Sequence, residues 1–144
     1  MKTTLPAMLL LFLGLLAAPS LGAQCNFKVY QEMAAAKMPT EHKLIKSFHV
    51  DGKAGDQPQL TVKLNMKKGT NYHVQLAAGE GDADGIVAAL LNSKGNEVAS
   101  SYTHTGYGER FNFLCRTSGV YTIQFTFQDS DSYCGAATVS VPAK

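Results

Sequence analysis

Tryptophan is missing from this chain, and cysteine is scarce, with three residues in 144. The missing indole counts against a typical sugar-binding surface, which relies on large flat rings. Cys25, Cys115 and Cys134 form no C-x-x-C pair, so neither a zinc ribbon nor a thioredoxin-like redox motif is supported. There is no G-x-S-x-G elbow, and Ser100 and Ser101 precede His104 without a suggestive acid partner. Cys115 with a distant histidine meets only a loose Cys–His template. His42, His49, His73 and His104 share no metal-ligand spacing and read as structural or surface residues. A dominant charge is also absent, since 13 Lys plus Arg stand against 11 Asp plus Glu. That balance gives no basic footprint for nucleic acid and no polybasic cluster for a membrane surface. Internal repeats and low-complexity linkers are missing too. The chain therefore reads as a non-enzyme.

Only one long apolar run is present, and it lies at the start. Lys2 provides a positive charge, Leu5 to Leu16 is almost wholly apolar, and Pro19-Ser20 breaks the run before Leu21-Gly22-Ala23. This is the pattern of a secretory signal peptide, and it is shorter than the roughly 20 residues that span a bilayer. Cleavage after Ala23 is expected, with no membrane insertion afterwards. Cys25 invites a lipoprotein reading, but a weak one, because Gln24 stands where a lipobox has a small residue before the cysteine. The expected location is secreted or periplasmic.

Residues 1–23 are thus assigned to the signal peptide, 24–42 to an N-terminal arm or short helix, and 43–144 to one β-sandwich domain. Phe27, Tyr30, Met33 and Ala34 recur at helical spacing within Cys25–Met38, and Pro39 ends that segment. Beyond it the chain alternates with period two. Leu44, Phe48 and Val50 fall on one side of a first strand. Leu60, Val62, Leu64 and Met66 alternate with polar residues, and Tyr72, Val74 and Leu76 alternate with Asn71, His73 and Gln75. The latter pattern predicts a strand buried on one face, with His73 on the polar side. Ile86–Leu91 is a continuous apolar run suited to a central strand. A turn at Asn92–Asn96, a strand from Val98 to Tyr102, a flexible stretch over Thr103–Gly108 and three further strands complete the chain. About eight short strands with turn signals every 8–12 residues predict an antiparallel, jelly-roll-like β-sandwich. Its expected core is Leu64, Tyr72, Val74, Leu76, Val87, Leu90, Phe111, Phe113, Tyr121, Ile123, Phe125 and Val139.

An oxidising compartment predicts one disulfide and one spare thiol. Parity turns Cys115 inward with Phe111 and Phe113, and turns Cys134 outward. If the last three strands form a simple meander, strand rise separates these two by some 20 Å, beyond the reach of a disulfide. Cys25–Cys134 is then the expected bond. A topology that sends successive strands to opposite sheets would instead bring Cys115 towards Cys134.

From Leu60 to Val141 the chain resembles the bacterial pre-peptidase C-terminal domain family, and the related collagen-binding and GOLD-type sandwiches. The resemblance is carried by the aromatic strand ending in Leu76, the Gly-Asp-Ala-Asp-Gly loop at Gly81–Gly85 and the Lys94-Gly95 turn. Gly119-Val120-Tyr121-Thr122-Ile123, Tyr133 and Val139-Ser140-Val141 complete it. It implies a sandwich fold and calcium near the acidic loop, with further acidic ligands from an N-terminal segment, here Glu41, Asp51 or Asp56. Because such domains sit beside proteases, it also implies a small secreted protease inhibitor or chaperone as one reading.

The residues themselves give two candidate sites. Glu80, Asp82 and Asp84 lie within five residues in a Gly-rich loop, the hard oxygen set that calcium prefers. The alternative is a solvated loop whose Asp side chains bond the local backbone. Tyr102, His104 and Tyr107 flank or occupy a Gly-containing loop, where exposed tyrosines stack on sugar or peptide. The alternative is that they cap the sandwich end. Two functional classes follow: an exported non-catalytic module recognising an extracytoplasmic protein, and a calcium-assisted carbohydrate- or matrix-binding module.

Overall fold

The structure, a computed structural model, describes residues 24–79 and 85–144. The expected signal peptide at 1–23 and the acidic residues Glu80, Asp82 and Asp84 lie outside the described residues. One α-helix, α1 (Phe27–Ala36), precedes ten strands, and a single 3-10 turn (Lys53–Gly55) follows the first of them. The strands are β1 (His42–Asp51), β2 (Gln59–Met66), β3 (Asn71–Ala78), β4 (Ile86–Leu91), β5 (Glu97–Ser100), β6 (Tyr102–Thr103), β7 (Gly106–Tyr107), β8 (Arg110–Leu114), β9 (Gly119–Phe127) and β10 (Cys134–Pro142).

Eight of the strands make two four-stranded antiparallel sheets, in the orders β1-β10-β3-β8 and β2-β9-β4-β5. This is the strand order of a jelly roll, in which the chain passes back and forth between two facing sheets. The remaining strands, β6 and β7, form a separate hairpin. Between the sheets lie Leu64, Met66, Val74, Leu76, Leu90, Ile123, Phe125 and Val139, all buried. Outside the continuously apolar β4, alternation along the strands is what selects them, because period two places every second side chain on one face.

Several expectations need correction. Leu44 does not join Phe48 and Val50 in the core. The register of β1 against β10 shifts between Leu44 and Lys46, and this bulge turns Leu44 out to 44 % exposure. In β4 the core residues are Ile86, Ala88 and Leu90, so Val87, although buried, points to the opposite face. Phe113 is only half-buried against the core. Residues 103–108 are not a loose stretch but include the β6–β7 turn, with Tyr102 paired to Tyr107 and Thr103 to Gly106. Tyr133 does not start the last strand. It takes φ 52°, in the left-handed region, and the strand begins at Cys134.

The largest departure concerns the outer face of the first sheet. His73 and Gln75 are 3 % and 0 % exposed, not solvated. Helix α1 packs across β10, β3 and β1 and covers that face, and its Ala34 is fully buried. The small residues Ala136 and Ser140 on β10 leave room for the close approach. A single strand's pattern cannot report a helix that arrives from elsewhere in the chain.

The Cys25–Cys134 disulfide holds this helix at its N-terminal end, and Cys115 is a free, buried thiol. The pairing is the expected one, but the meander behind it is not there, because β9 lies in the opposite sheet from β8 and β10. The two cysteines are kept apart by β3, which separates β8 from β10. Cys115 bonds Thr70 just before β3 begins, whereas Gly135 is paired with Ala78 at its far end. At about 3.3 Å per residue the gap exceeds 20 Å.

Candidate functional site

The jelly roll gathers its connections at two ends. One end takes the links β1–β2, β3–β4, β5–β8 and β9–β10, and the other takes β2–β3, β4–β5 and β8–β9. Within the described residues the first end is rich in acids: Asp51, Asp56, Asp129 and Asp131. The turns of the second end hold Lys67, Lys68, Lys94 and Arg116 and no acid. A nearly neutral composition therefore conceals a charge separation along the long axis of the sandwich.

At the acidic end the β6–β7 hairpin displays the most conspicuous aromatic surface. Tyr102 and Tyr107 are 49 % and 41 % exposed, and their ring centroids lie 5.2 Å apart at a tilt of 55°. Gly106 permits the turn between them with φ 115°, a value that side chains rarely adopt. Thr103 and Thr105 hydroxyls bond across the tip at 2.7 Å. The hairpin is tied to the body by Gly108 N–H donating to Ser101 O at 2.8 Å. It is also tied by the Tyr107 hydroxyl, which donates to Asp129 Oδ2. That bond to Asp129 is the main reason the Tyr107 hydroxyl is pushed up to about 12, with burial and the Asp129 charge adding to it. The structure thus brings Tyr102 and Tyr107 together, with exposed His104 at the tip beside them. Asp129 is the partner that sequence reasoning missed, because it is 22 residues further on.

The other expected groups are arranged differently. Glu41 lies at one end of β1, with its carbonyl accepting from Ala143 N–H, whereas Asp51 closes the other end. Glu41 therefore cannot share an ion with Asp51 or Asp56. Cys25 Sγ, the His49 ring and the Asp51 carboxylate do converge within 4.8 Å. Two facts argue against a metal there: the sulfur is spent in the disulfide, and Asp51 is already held by Lys53. Burial raises the Asp51 pKa, but the Lys53 backbone N–H at 2.8 Å and its ammonium at 3.0 Å outweigh this and leave it below the usual value.

Ser101 is buried, and its hydroxyl accepts from Ala88 N–H at 2.9 Å, so it does not face His104 as a nucleophile. Cys115 Sγ is 3.2 Å from Thr117 O and 3.9 Å from the Tyr121 hydroxyl. Burial first, and then Cys115, raises the Tyr121 pKa. Beneath α1, His73 Nδ1 meets Asn112 Oδ1 at 2.8 Å. Gln75 Nε2 donates to Leu76 O and Glu109 O at 3.1 and 3.2 Å. His42 Nδ1 meets Ser140 Oγ at 3.1 Å, and its ring meets that of His73 edge-on at 5.7 Å. This layer is a hydrogen-bonded seat for the helix. Among the described residues, no helix is long and apolar enough to cross a membrane.

No family model matches the chain, and neither does any curated protein. Among solved structures, the chain is similar to PliG of Aeromonas hydrophila, a periplasmic inhibitor of g-type lysozyme. The identity is 12 % and the TM-score 0.42, covering 72 % of this chain and 87 % of that one.

Proposed function

We propose that the protein is an exported, non-catalytic binding module that recognises an extracytoplasmic protein through the loop end carrying Tyr102, His104 and Tyr107. The observation that carries this reading is the pair of exposed tyrosines on a pinned hairpin. Tyrosine offers a large amphipathic contact area with few rotatable bonds, so little entropy is lost when it is buried. Here the cost is lower still, because the pairing with Gly106 and the bond to Asp129 already fix the hairpin. The acids around it favour a basic face on the partner. Export is supported by residues 1–23 and by the disulfide, a bond that persists in oxidising compartments.

The test uses the mature chain as bait against extracytoplasmic extract, alongside a Tyr102→Ala/Tyr107→Ala variant of equal melting temperature. A protein retained by the first and lost by the second supports the reading. Retention by both, or binding confined to a glycan array, removes it.

A second reading is calcium-assisted binding of carbohydrate or matrix at the same end. It is favoured by the close seat of Gly85 on the acidic turn, where an added Cβ would lie 2.7 Å from the Asp129 carbonyl carbon. Gly85, which follows Asp84 in the sequence, thus lies beside Asp129 just before β4 begins. Millimolar calcium is expected to raise the melting temperature, and Asp82→Ala to abolish the rise. No shift eliminates this reading.

A further inference from the structure

The opposite end of the sandwich carries a surface of different character. A groove of about 510 Å³ opens between the β4–β5 and β8–β9 turns, at the end of the seam where β5, the edge of one sheet, faces β8, the edge of the other. Val98, Leu114 and Val120 line it while 40 %, 53 % and 46 % exposed, three of the eight large apolar side chains that the described residues expose. Phe113 and Tyr121 lie under them in tilted contact, with centroids 5.4 Å apart. Lys94 and Arg116 also line the groove. It adjoins a second hollow of about 310 Å³ that is lined by Lys63 and shares Val120. No acid lines either hollow. Glu97 is on β5 itself but does not line them.

We propose that this seam is a docking groove for an acidic, extended polypeptide segment of a partner protein. Three features select that occupant. The first is charge: Lys94 and Arg116 line the seam, Lys63 lines the adjoining hollow, and Lys67 and Lys68 stand in the β2–β3 turn, with the Lys68 N–H donating to Ser118 Oγ at 2.8 Å. A segment bearing Asp or Glu neutralises them and is steered there. The second is the exposed apolar trio among those charges, which matches a strand alternating acidic and apolar side chains. A bare polyanion would leave that trio in water. The third is the backbone: β5 and β8 each pair on one side only, leaving a free edge to which an extended segment can add as a strand.

The probe is a fluorescein-labelled short peptide alternating Glu and Val, titrated against the intact mature protein by anisotropy. A Lys-Val peptide and a heparin oligosaccharide serve as comparisons. We expect saturable binding of the Glu-Val peptide alone, weakened by salt, with amide shifts at Val98, Leu114 and Val120. Lys94→Glu/Arg116→Glu should weaken it at least tenfold, a difference of about 1.4 kcal/mol. Leu114→Ser should weaken it without altering net charge. Each variant must keep the parent melting temperature, and a milder Arg116→Gln replaces the reversal if it does not. Absence of saturable binding, indifference to both substitutions, or equal binding of heparin overturns the proposal. So does a salt-sensitive dimer in sedimentation that the reversal dissociates, which assigns the seam to a second copy of this chain. Tyr102, Tyr107 and Asp129 are untouched by these variants, so this surface and the tyrosine hairpin fail separately.

Discussion

Thr138 sits in the middle of β10 beneath α1, 1 % exposed, and its hydroxyl has no hydrogen-bond partner among the described residues. A buried hydroxyl without a partner loses its hydration and gains nothing in return. Thr138→Val keeps the branched shape and deletes that group. It should leave stability unchanged or raise it by up to about 1 kcal/mol, read as a higher urea midpoint at constant slope. Gln75, in register with Thr138, behaves oppositely, because its amide satisfies Leu76 O and Glu109 O. Gln75→Leu should cost about 1–3 kcal/mol in the same experiment. On the hairpin, the Tyr107 hydroxyl is raised from 10.0 to about 12 by Asp129. The folded value is the higher one, so the stabilisation is intact below about pH 10 and lost as pH rises through about 12. An ultraviolet phenol titration should show Tyr107 and Tyr121 ionising late. Tyr107→Phe should remove one late group, and Asp129→Asn should bring Tyr107 back towards 10.

At the scale of elements, the helix and its strap were both expected, the helix from the spacing within Cys25–Met38 and the strap from cysteine parity, but the polar sheet face that the helix covers was not. Lys37 joins Glu109 by a 2.8 Å salt bridge at the C-terminal side of α1, and Cys25–Cys134 fastens the other side. The disulfide spans 109 residues of sequence. Loop-closure entropy for a span of this size predicts a stabilisation of about 4–5 kcal/mol. Cys25→Ser/Cys134→Ser should therefore melt well below the parent, and amide exchange should accelerate first in α1. Slow exchange of α1 in that variant would show that the buried polar seat holds the helix without the strap. The strands themselves were legible. β2, β3 and β9 alternate cleanly, and β4 reads as central and is flanked by β9 and β5. Illegible was whatever depends on a distant partner. His73 and Gln75 look solvated until α1 is laid over them. Leu44 keeps its parity on paper because a bulge leaves no mark in a short alternating run. Tyr102 and Tyr107 were visible as a pair, but not the Asp129 that anchors them, which arrives on another loop.

The jelly-roll order makes the last strand a central one. β10 lies between β1 and β3, paired over nine positions with the first and six with the second. It also contributes Ala137, Val139 and Val141 to the core and Cys134 to the strap. Until it is in place, β1 has no partner in its sheet, β3 is paired on one side only, and the seat of α1 is missing. Non-local pairing of this kind must be paid for in chain entropy before any contact rewards it, so folding should take milliseconds to seconds or longer. A chain stopped after Phe127 should consequently be unfolded by far-ultraviolet circular dichroism, although it keeps most of the strands. The β6–β7 hairpin is the contrasting case, since it lies outside both sheets. Replacing Thr103–Gly106 with a shorter turn should preserve a single cooperative melt within a few degrees of the parent, while removing the aromatic surface at the acidic end. If the truncated chain folds, or the shortened hairpin abolishes folding, then stability is not distributed as the strand order requires. The aromatic hairpin would then be part of the scaffold rather than a loop carried by it.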